Sequence, residues 1–359
     1  MTDLRAFHEE HGAVFGERDG RTVVERYRRP ERTHRAVRNG VGVTEEPYGV
    51  VVVEGEDRVE YVDDVLTNRV PRAEGEGAYA LLLDPQGRIE TDMAVYNAGE
   101  RLLLFVAPGR AAPTVEGWEA FLRDVEFRVA TGEFAVFGVH GPDATEKVAS
   151  VLDVGTPEDP RSFVRGTLRD TGVTVARGDD PAGEESYEVV CGAGDAVDVL
   201  DTLLNHGLNA VPFGRETWNA LTLEAGTPLF RTELEGRLPN AVGLRDAVDF
   251  EKGCYVGQEV VSRIENRGRP PERLVGLRPE ACPERGAAVF DGDAAVGEVT
   301  RAVESPVLEA PVALAAVDPE ASDSLTVRVD GDPVPAGTAD LPFVEGSGRS
   351  GRLPRYGDA

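Results

Sequence analysis

The chain of 359 residues is 41% hydrophobic, which is enough to bury a sizeable core in two or three domains and excludes disorder as its main state. Its 65 acidic and 38 basic residues give a formal net charge of −27, and only two of the basic residues are lysines. Such a surface repels nucleic acid, and no apolar run approaches membrane-spanning length, so we expect a soluble, cytoplasmic protein that binds neither nucleic acid nor membrane. Because the acidic residues are spread along the chain, we interpret the charge as adaptation to a high-salt cytosol rather than as a surface for cations or basic partners.

One segment near the N-terminus runs against this acidic trend. Between residues 18 and 38 there are eight arginines against Asp19, Glu25 and Glu31. A solvated helix face explains the pattern, and the alternative is a landing strip for an acidic partner or for the polyanionic tail of a ligand. The arginines are Arg18, Arg21, Arg26, Arg28, Arg29, Arg32, Arg35 and Arg38.

The pattern of cysteines and histidines does not predict a metal site. Cys191, Cys254 and Cys282 form no CxxC pair, and the five histidines show no ligand spacing. An odd, low number of cysteines is typical of a reducing compartment.

Four units of an apolar strand, a short turn and an amphipathic helix recur along the first two thirds of the chain. Their predicted strands cover residues 50–54, 102–107, 134–140 and 187–191. Four such units interleaved with hairpins predict an α+β or α/β body in which helices pack on sheets.

A predicted hairpin lies between the first two units, with strands at 79–83 and 88–96. Strand alternation places Asp92 and Tyr96 on one face, together with Glu90 and Ala94. A carboxylate and a phenol two positions apart are suited to holding a polar heterocycle. The ordinary alternative is an acidic side chain on an outer face.

One stretch brings an amine, a thiol, an amide and a carboxylate together within eight residues: Lys252-Gly253-Cys254-Tyr255-Val256-Gly257-Gln258-Glu259. In a chain where arginine fills nearly every cationic position, a lysine here indicates a need for a compact, rotatable ammonium. Gly257-Gln258-Glu259 predicts the first turn of a helix, which places Cys254 near both a helix N-terminus and a cation. Both influences favour a thiolate, so Cys254 is the candidate reactive thiol and Lys252 its candidate activator; the alternative is a packing turn.

After Pro270-Pro271 the pattern changes to short alternating strands separated by turn residues, which predicts a small all-β domain, a barrel. We therefore divide the chain into a two-lobed module at 1–270, a barrel at 271–345 and a flexible tail at 346–359. The predicted barrel strands cover residues 274–277, 287–290, 296–300, 312–317 and 325–329.

Several stretches along nearly the whole chain are specific enough to compare with a known family. They are His34-Arg35-Ala36-Val37, Gly183-Glu184-Glu185-Ser186-Tyr187-Glu188, Leu221-Thr222-Leu223-Glu224-Ala225-Gly226 and Leu341-Pro342-Phe343-Val344. The chain resembles the folate-binding aminomethyltransferase superfamily, which holds the glycine-cleavage T-protein and the YgfZ-type iron–sulfur maintenance proteins. The resemblance implies an α+β fold of two interleaved, ferredoxin-like α/β lobes around a central folate pocket plus a small C-terminal β-barrel, with tetrahydrofolate or a folate derivative as cofactor. Together with the acidic composition, it points to a haloarchaeal source.

The resemblance also implies roles for single residues. Asp92 matches the carboxylate that contacts the folate and assists transfer, Tyr79 and Tyr96 match aromatic pocket positions, and Glu188 matches the glutamate that holds the pterin ring. Two positions depart from the T-protein pattern. Thr222 stands where the T-protein has an arginine that contacts folate, and the Ala107-Pro108 region lacks an expected asparagine.

Three functional hypotheses follow. Because the Lys252 to Glu259 stretch looks like the YgfZ-type signature, the first is a tetrahydrofolate-binding protein that supports assembly or repair of iron–sulfur proteins, with Cys254 as its working thiol. The second is an aminomethyltransferase that takes its one-carbon unit from a lipoylated carrier protein, with Asp92 supporting the transfer. The third is a folate-sensing interaction module without turnover.

Overall fold

The computed structural model describes residues 4–18, 21–118 and 123–356. Within these residues there are eight α-helices: α1 (Leu4–Glu10), α2 (Pro30–Arg38), α3 (Arg58–Val65), α4 (Ala111–Glu116), α5 (Ala144–Ala149), α6 (Ala196–Asn205), α7 (Arg215–Glu224) and α8 (Gln258–Arg267). None of these described helices is long and apolar enough to cross a membrane.

The strands of the body are β1 (Ala13–Arg18), β2 (Arg21–Tyr27), β3 (Gly42–Glu45), β4 (Gly49–Glu54), β5 (Gly77–Leu83), β6 (Ile89–Asn97), β7 (Arg101–Val106), β8 (Glu126–Val129), β9 (Phe134–His140), β10 (Phe163–Leu168), β11 (Thr171–Arg177), β12 (Ser186–Gly192) and β13 (Val211–Pro212). Those of the C-terminal region are β14 (Arg273–Pro279), β15 (Ala288–Asp291), β16 (Ala294–Ser305), β17 (Ala310–Val317), β18 (Ser324–Val329) and β19 (Asp332–Ala339). Each of the four predicted strand–turn–helix units begins with an observed strand and continues into an observed helix. The second helix, expected to run through Trp118 and Leu122, ends at Glu116, and residues 119–122 lie outside the described residues.

The first lobe is built on a five-stranded antiparallel sheet with the order β5-β6-β7-β4-β8. Successive side chains of a strand point to opposite faces, so Val51 and Val53 of β4 pack on the helix side, in a core that includes Val62 of α3. The alternate residues Val50 and Val52 face the other lobe. Because both faces are covered, β4 is a continuous apolar run.

The second lobe is built on a six-stranded sheet with the order β10-β11-β12-β9-β3-β13. Strand β3 belongs to this sheet although β4, which follows it in the chain, belongs to the first, so the two lobes are interleaved. Phe105 of β7 and Val136 and Val190 of β9 and β12 join Val50 and Val52 in an apolar layer between the sheets. The predicted α+β architecture is confirmed.

The C-terminal strands close into a six-stranded barrel, β14-β17-β16-β15-β18-β19, which confirms the predicted barrel. Its sixth strand, β19, has no counterpart among the five strands predicted from the sequence. Pro333 and Pro335 explain the omission, since proline removes a ladder donor and argues against a strand. Arg301 of β16 ties the barrel to the body, because its guanidinium is 4% exposed and donates to the carbonyl oxygen of Thr227 at 2.6 Å.

The segment after the barrel returns to the body. The backbone N–H of Ser347 donates to Glu184 Oε2 at 2.7 Å, and Leu353 is buried. Residues 357–359, the end of the tail predicted at 346–359, lie outside the described residues. The contacts of the described part bring Arg352 into the interior of the body.

Candidate functional site

A cavity of about 190 Å³ opens where the link between β3 and β4 meets strand β6 and helix α7. The link contributes Glu46 and Tyr48, β6 contributes Asp92, and α7 contributes Arg215 and Trp218. We call this space the Asp92 cavity. It brings together side chains from the first sheet, from the link between the two sheets and from helix α7.

Asp92 lies on β6 just beyond the point where the pairing of β6 with β7 ends, at Met93 and Val106. Its carboxylate therefore leaves the sheet next to the cavity, where it is only 7% exposed. The Tyr79 hydroxyl donates to Asp92 Oδ2 at 2.8 Å, and Arg352 Nη1 lies 3.5 Å from the same oxygen. Burial raises the pKa of Asp92 above its usual range, although Arg352 and the Tyr79 hydrogen bond oppose the shift.

Arg352 is held between two carboxylates. It donates from Nε to Asp179 Oδ2 at 2.9 Å, lies near Asp92, and places its guanidinium 4.4 Å from the centre of the Tyr79 ring. Burial opposes ionisation of Asp179, but Arg352 and Arg161 outweigh it and lower the pKa of Asp179 to about 2. The Arg352 guanidinium thus lies close to both carboxylates, and it stabilises the ionised form of Asp179 more than that of Asp92.

Glu188 lies on β12, behind Tyr48. The Tyr48 hydroxyl donates to Glu188 Oε1 at 2.7 Å, and the Tyr96 hydroxyl lies 3.4 Å from Oε2. Burial raises the pKa of Glu188 to about 7, although the Tyr48 hydrogen bond lowers it. Burial also raises the pKa values of both tyrosines, so they remain donors at neutral pH.

The structure divides the residues expected to bind folate among three places. Asp92 lines the Asp92 cavity, Tyr79 lies against it, and Glu188 is reached through Tyr48. Tyr96 instead lines a second, apolar cavity of about 370 Å³ between the two sheets. Asp92 and Tyr96 share a face of β6, as the alternation predicts, but they open onto different spaces.

The analysis of the sequence did not identify Glu46, the other buried carboxylate of the cavity. Arg215 Nη1 lies 3.3 Å from one of its oxygens. The other, Oε1, has no hydrogen-bond partner among the described residues and lies 4.0 Å from His140 Nε2. Burial raises the pKa of Glu46 despite Arg215. Only its place in the link between two apolar strands marks it in the sequence, and that signal is weak in so acidic a chain.

Lys252 and Cys254 lie in a different part of the molecule. The Lys252 ammonium donates to the backbone carbonyls of Asp63, Leu66 and Asn68, the last two at 3.0 Å. These carbonyls are at and beyond the C-terminal end of α3, where a cation is favourable. Cys254 is exposed. The predicted helix start is confirmed, because Gly257 has φ +80° and α8 begins at Gln258.

Thr222, at the position where the resemblance implies an arginine, has a different partner here. The guanidinium of Arg301 in the barrel donates to Thr222 Oγ1 at 2.8 Å. A small hydroxyl at position 222 therefore makes room for a cation that comes from the barrel.

The arrangement of two α/β sheets, a central cavity and a C-terminal barrel agrees with the match of the sequence to known families. Residues 4–252 match the GCVT N-terminal domain, and residues 272–345 match the glycine cleavage T-protein C-terminal barrel domain. The chain belongs to the glycine cleavage T-protein family. In this T-protein family member the two matched segments leave residues 253–271, which include α8, between them.

Relatives match this T-protein family member over nearly its whole length. An aminomethyltransferase of Cutibacterium acnes is 32% identical and covers 96% of this chain and 98% of its own. One from Saccharopolyspora erythraea is 31% identical, with coverages of 96% and 97%. The glycine cleavage system aminomethyltransferase T from Bartonella henselae has the same fold, with a TM-score of 0.86 over 97% of this chain and 98% of its own, at 23% identity.

Proposed function

We propose that the protein is a tetrahydrofolate-dependent aminomethyltransferase. The observation that carries the proposal is the buried carboxylate of Asp92 at the wall of a cavity, held by the Tyr79 hydroxyl and by Arg352. The full-length similarity to proteins named aminomethyltransferase supports it.

The residues around the cavity suit a folate. A pterin ring offers N–H donors, which carboxylates accept, and Asp92, Glu46 and Glu188 are the carboxylates at or next to this cavity. Trp218 supplies an aromatic wall for a flat ring. When bound, tetrahydrofolate supplies the two nitrogens that take up the one-carbon unit, so that methylene-tetrahydrofolate forms while ammonia and the free thiol of the carrier's lipoyl arm leave.

In this proposal Asp92 orients the accepting nitrogen and supports the charge that develops on it. Burial makes such an interaction strong, because water does not compete for the carboxylate. The Tyr79 hydroxyl fixes one carboxylate oxygen, and Arg352 opposes the rise in the pKa of Asp92 that burial causes. Precise placement of this kind is worth several orders of magnitude in rate.

A direct test is the release of ammonia by the purified protein from an aminomethylated lipoyl carrier protein in the presence of tetrahydrofolate. We expect ammonia and methylene-tetrahydrofolate in equal amounts, and neither product when the folate is left out. The assay is run at low and at multimolar KCl, because the net charge of −27 suggests a need for salt. Failure to release ammonia at every salt concentration would sink the proposal.

A second candidate function, support of iron–sulfur protein assembly or repair, is favoured by one observation. Cys254 is exposed at the start of the Lys252 to Glu259 stretch, where a thiol can meet a partner. The test is deletion of the gene followed by assay of iron–sulfur enzymes, with complementation by wild type and by Cys254→Ser. Lower activities that only the wild type restores would support this function, whereas unchanged activities would count against it.

A further inference from the structure

The second cavity, of about 370 Å³ between the two sheets, has no part in the proposed transfer. We call it the Tyr96 cavity. It opens at the other end of the layer between the sheets from Asp92. Strand β6 shows this, because Asp92 lies near its start and lines only the first cavity, whereas Tyr96 lies near its end and lines only the second. The volume of the Tyr96 cavity is that of a small-molecule site.

Apolar side chains form the two facing walls of the Tyr96 cavity. Strand alternation puts Arg101, Leu103 and Phe105 of β7 on one face, and these residues supply the wall from the first sheet. Phe163 of β10 and Val190 of β12 supply the wall from the second sheet. A ligand between the sheets would therefore bury hydrocarbon surface on both sides, which is favourable.

The charged side chains of the Tyr96 cavity are all basic. Among the described residues that line it there are two arginines, Arg101 and Arg165, and no aspartate or glutamate. In a chain whose 65 acidic residues outnumber 38 basic ones, a lining without acids is a local exception. Its charge favours an anion over a cation.

The two arginines differ in their partners. Arg165 Nη1 lies 2.6 Å from a carboxylate oxygen of Glu74, and Arg165 Nη2 donates to the carbonyl oxygen of Ala98 at 2.9 Å. Arg101 is half-buried and has no hydrogen bond or ion pair within the part of the chain that the structure describes, although Glu54 lies opposite it on β4. The Arg101 guanidinium therefore has donors to offer to a ligand in the cavity.

We infer that the Tyr96 cavity binds a small apolar carboxylate, whose hydrocarbon part fills the space between the sheets and whose carboxylate pairs with Arg101. The planar fork of an arginine fits a carboxylate with two parallel hydrogen bonds. A ligand with several charges does not suit the apolar walls, because they offer its other charges no partner. The site is separate from the one proposed for tetrahydrofolate, so the inference goes beyond the proposed function and does not depend on it.

Gly172 of β11 offers a way to fill the cavity without changing its charge. It lines the cavity, and a Cβ atom there would meet nothing within 4 Å. Phenylalanine is also a better strand former than glycine, so Gly172→Phe should block the cavity and keep the strand. The charge variant is Arg101→Gln. Its control is Arg32→Gln, which removes an exposed arginine that does not line the cavity.

The test measures the binding of octanoate and of 1-octanol by calorimetry at one fixed KCl concentration. The two probes share a chain length and differ in charge. We expect the wild type and Arg32→Gln to bind octanoate about tenfold more tightly than octanol. Arg101→Gln should bind the two probes with equal affinity, and Gly172→Phe should bind neither. Circular dichroism of each variant checks that the fold is kept.

Three results would each overturn the inference. The first is that the wild type does not bind octanoate, or binds octanol as tightly, since an apolar space without an anion site suits a protein side chain instead. The second is a preference for octanoate that survives in Arg101→Gln. The third is octanoate binding that survives in Gly172→Phe, which would place the ligand elsewhere. None of them bears on the proposed function, because the three substituted residues do not line the Asp92 cavity.

Discussion

The guanidinium of Arg352, close to the C-terminus, lies 3.5 Å from the carboxylate of Asp92 in the first lobe and also donates to Asp179 in the second. One cation near the end of the chain thereby joins both lobes at the cavity. The three charges are buried together, so the protonation of Asp92 depends on a residue that no local pattern connects with it.

Replacing Arg352 by glutamine is expected to raise the pKa of Asp92, because the guanidinium now lowers it. Transfer activity at neutral pH should fall by roughly tenfold to a hundredfold and recover in part as the pH rises and Asp92 ionises. A pH–rate profile measures this. Arg349→Gln, an exposed neighbour, is the control and should keep the wild-type profile. If Arg352→Gln lost transfer activity by the same factor at every pH, Arg352 would act on binding or folding instead.

The same substitution should change the stability of the fold in acid. Arg352 and Arg161 depress the pKa of Asp179 from 3.8 to about 2. A carboxyl group whose pKa is lower in the native state than in the unfolded chain stabilises the native state at pH values above the unfolded pKa. That stabilisation is lost as the pH falls toward 2. In Arg352→Gln we expect a lower free energy of unfolding at neutral pH, by about 3 kcal/mol, and a weaker loss between pH 4 and 2. Urea denaturation at several pH values checks both.

Glu188 gives the site a pH dependence near neutrality. Its pKa is about 7, so the carboxylate that in the proposed function accepts pterin N–H donors forms as the pH rises through that value. We expect tetrahydrofolate affinity to increase with pH up to a plateau above about pH 8. In Glu188→Gln this rise should disappear. Calorimetric titrations across the range measure the midpoint.

Tyr48 sets where that midpoint lies. Its hydrogen bond favours the ionised form of Glu188, so Tyr48→Phe should move the midpoint to higher pH. Tyr187→Phe is the matched control. Tyr187 is a buried tyrosine next to Glu188 on β12, but it packs in the core on the opposite face of that strand from Glu188. An unchanged midpoint in Tyr48→Phe would mean that a different group controls the pH dependence.

Removal of the Lys252 ammonium should destabilise the fold. Lys252→Met leaves the carbonyls at the end of α3 without their donor, and we expect the free energy of unfolding to fall by about 3 kcal/mol. Lys252→Arg should restore little of it, because a flat fork cannot point several donors of one nitrogen at converging carbonyls. Cys254→Ser, at an exposed position nearby, should change stability by less than about 0.5 kcal/mol. Denaturation curves of the three variants measure these changes in the free energy of unfolding.

Lys252 also shows what the sequence reveals and where it stops. The scarcity of lysine drew attention to position 252, where the ammonium donates to three backbone carbonyls. It did not reveal which groups the ammonium meets, because the carbonyls of α3 lie far away in the chain. Likewise, strand alternation put Asp92 and Tyr96 on one face of β6, but the space each one faces depends on how the two sheets stack.

The strands and helices of the lobes were predictable because each carries its own apolar pattern and turn residues. β19 was not, since Pro333 and Pro335 obscure a strand whose place is fixed by closure of the barrel. Arg352 was missed for a similar reason: its partners come from both lobes. Contacts that depend on tertiary structure leave no periodic signal in the sequence.

The most direct test of the account is the rate of aminomethyl transfer by Asp92→Asn, measured as ammonia release, alongside its affinity for tetrahydrofolate. Glu90→Gln, which changes an exposed acid on the same strand, is the control. We predict a rate at least about a hundredfold lower in Asp92→Asn, with an affinity within a few fold of the wild type and no change in the control. An Asp92→Asn protein that transfers as fast as the wild type would contradict the account.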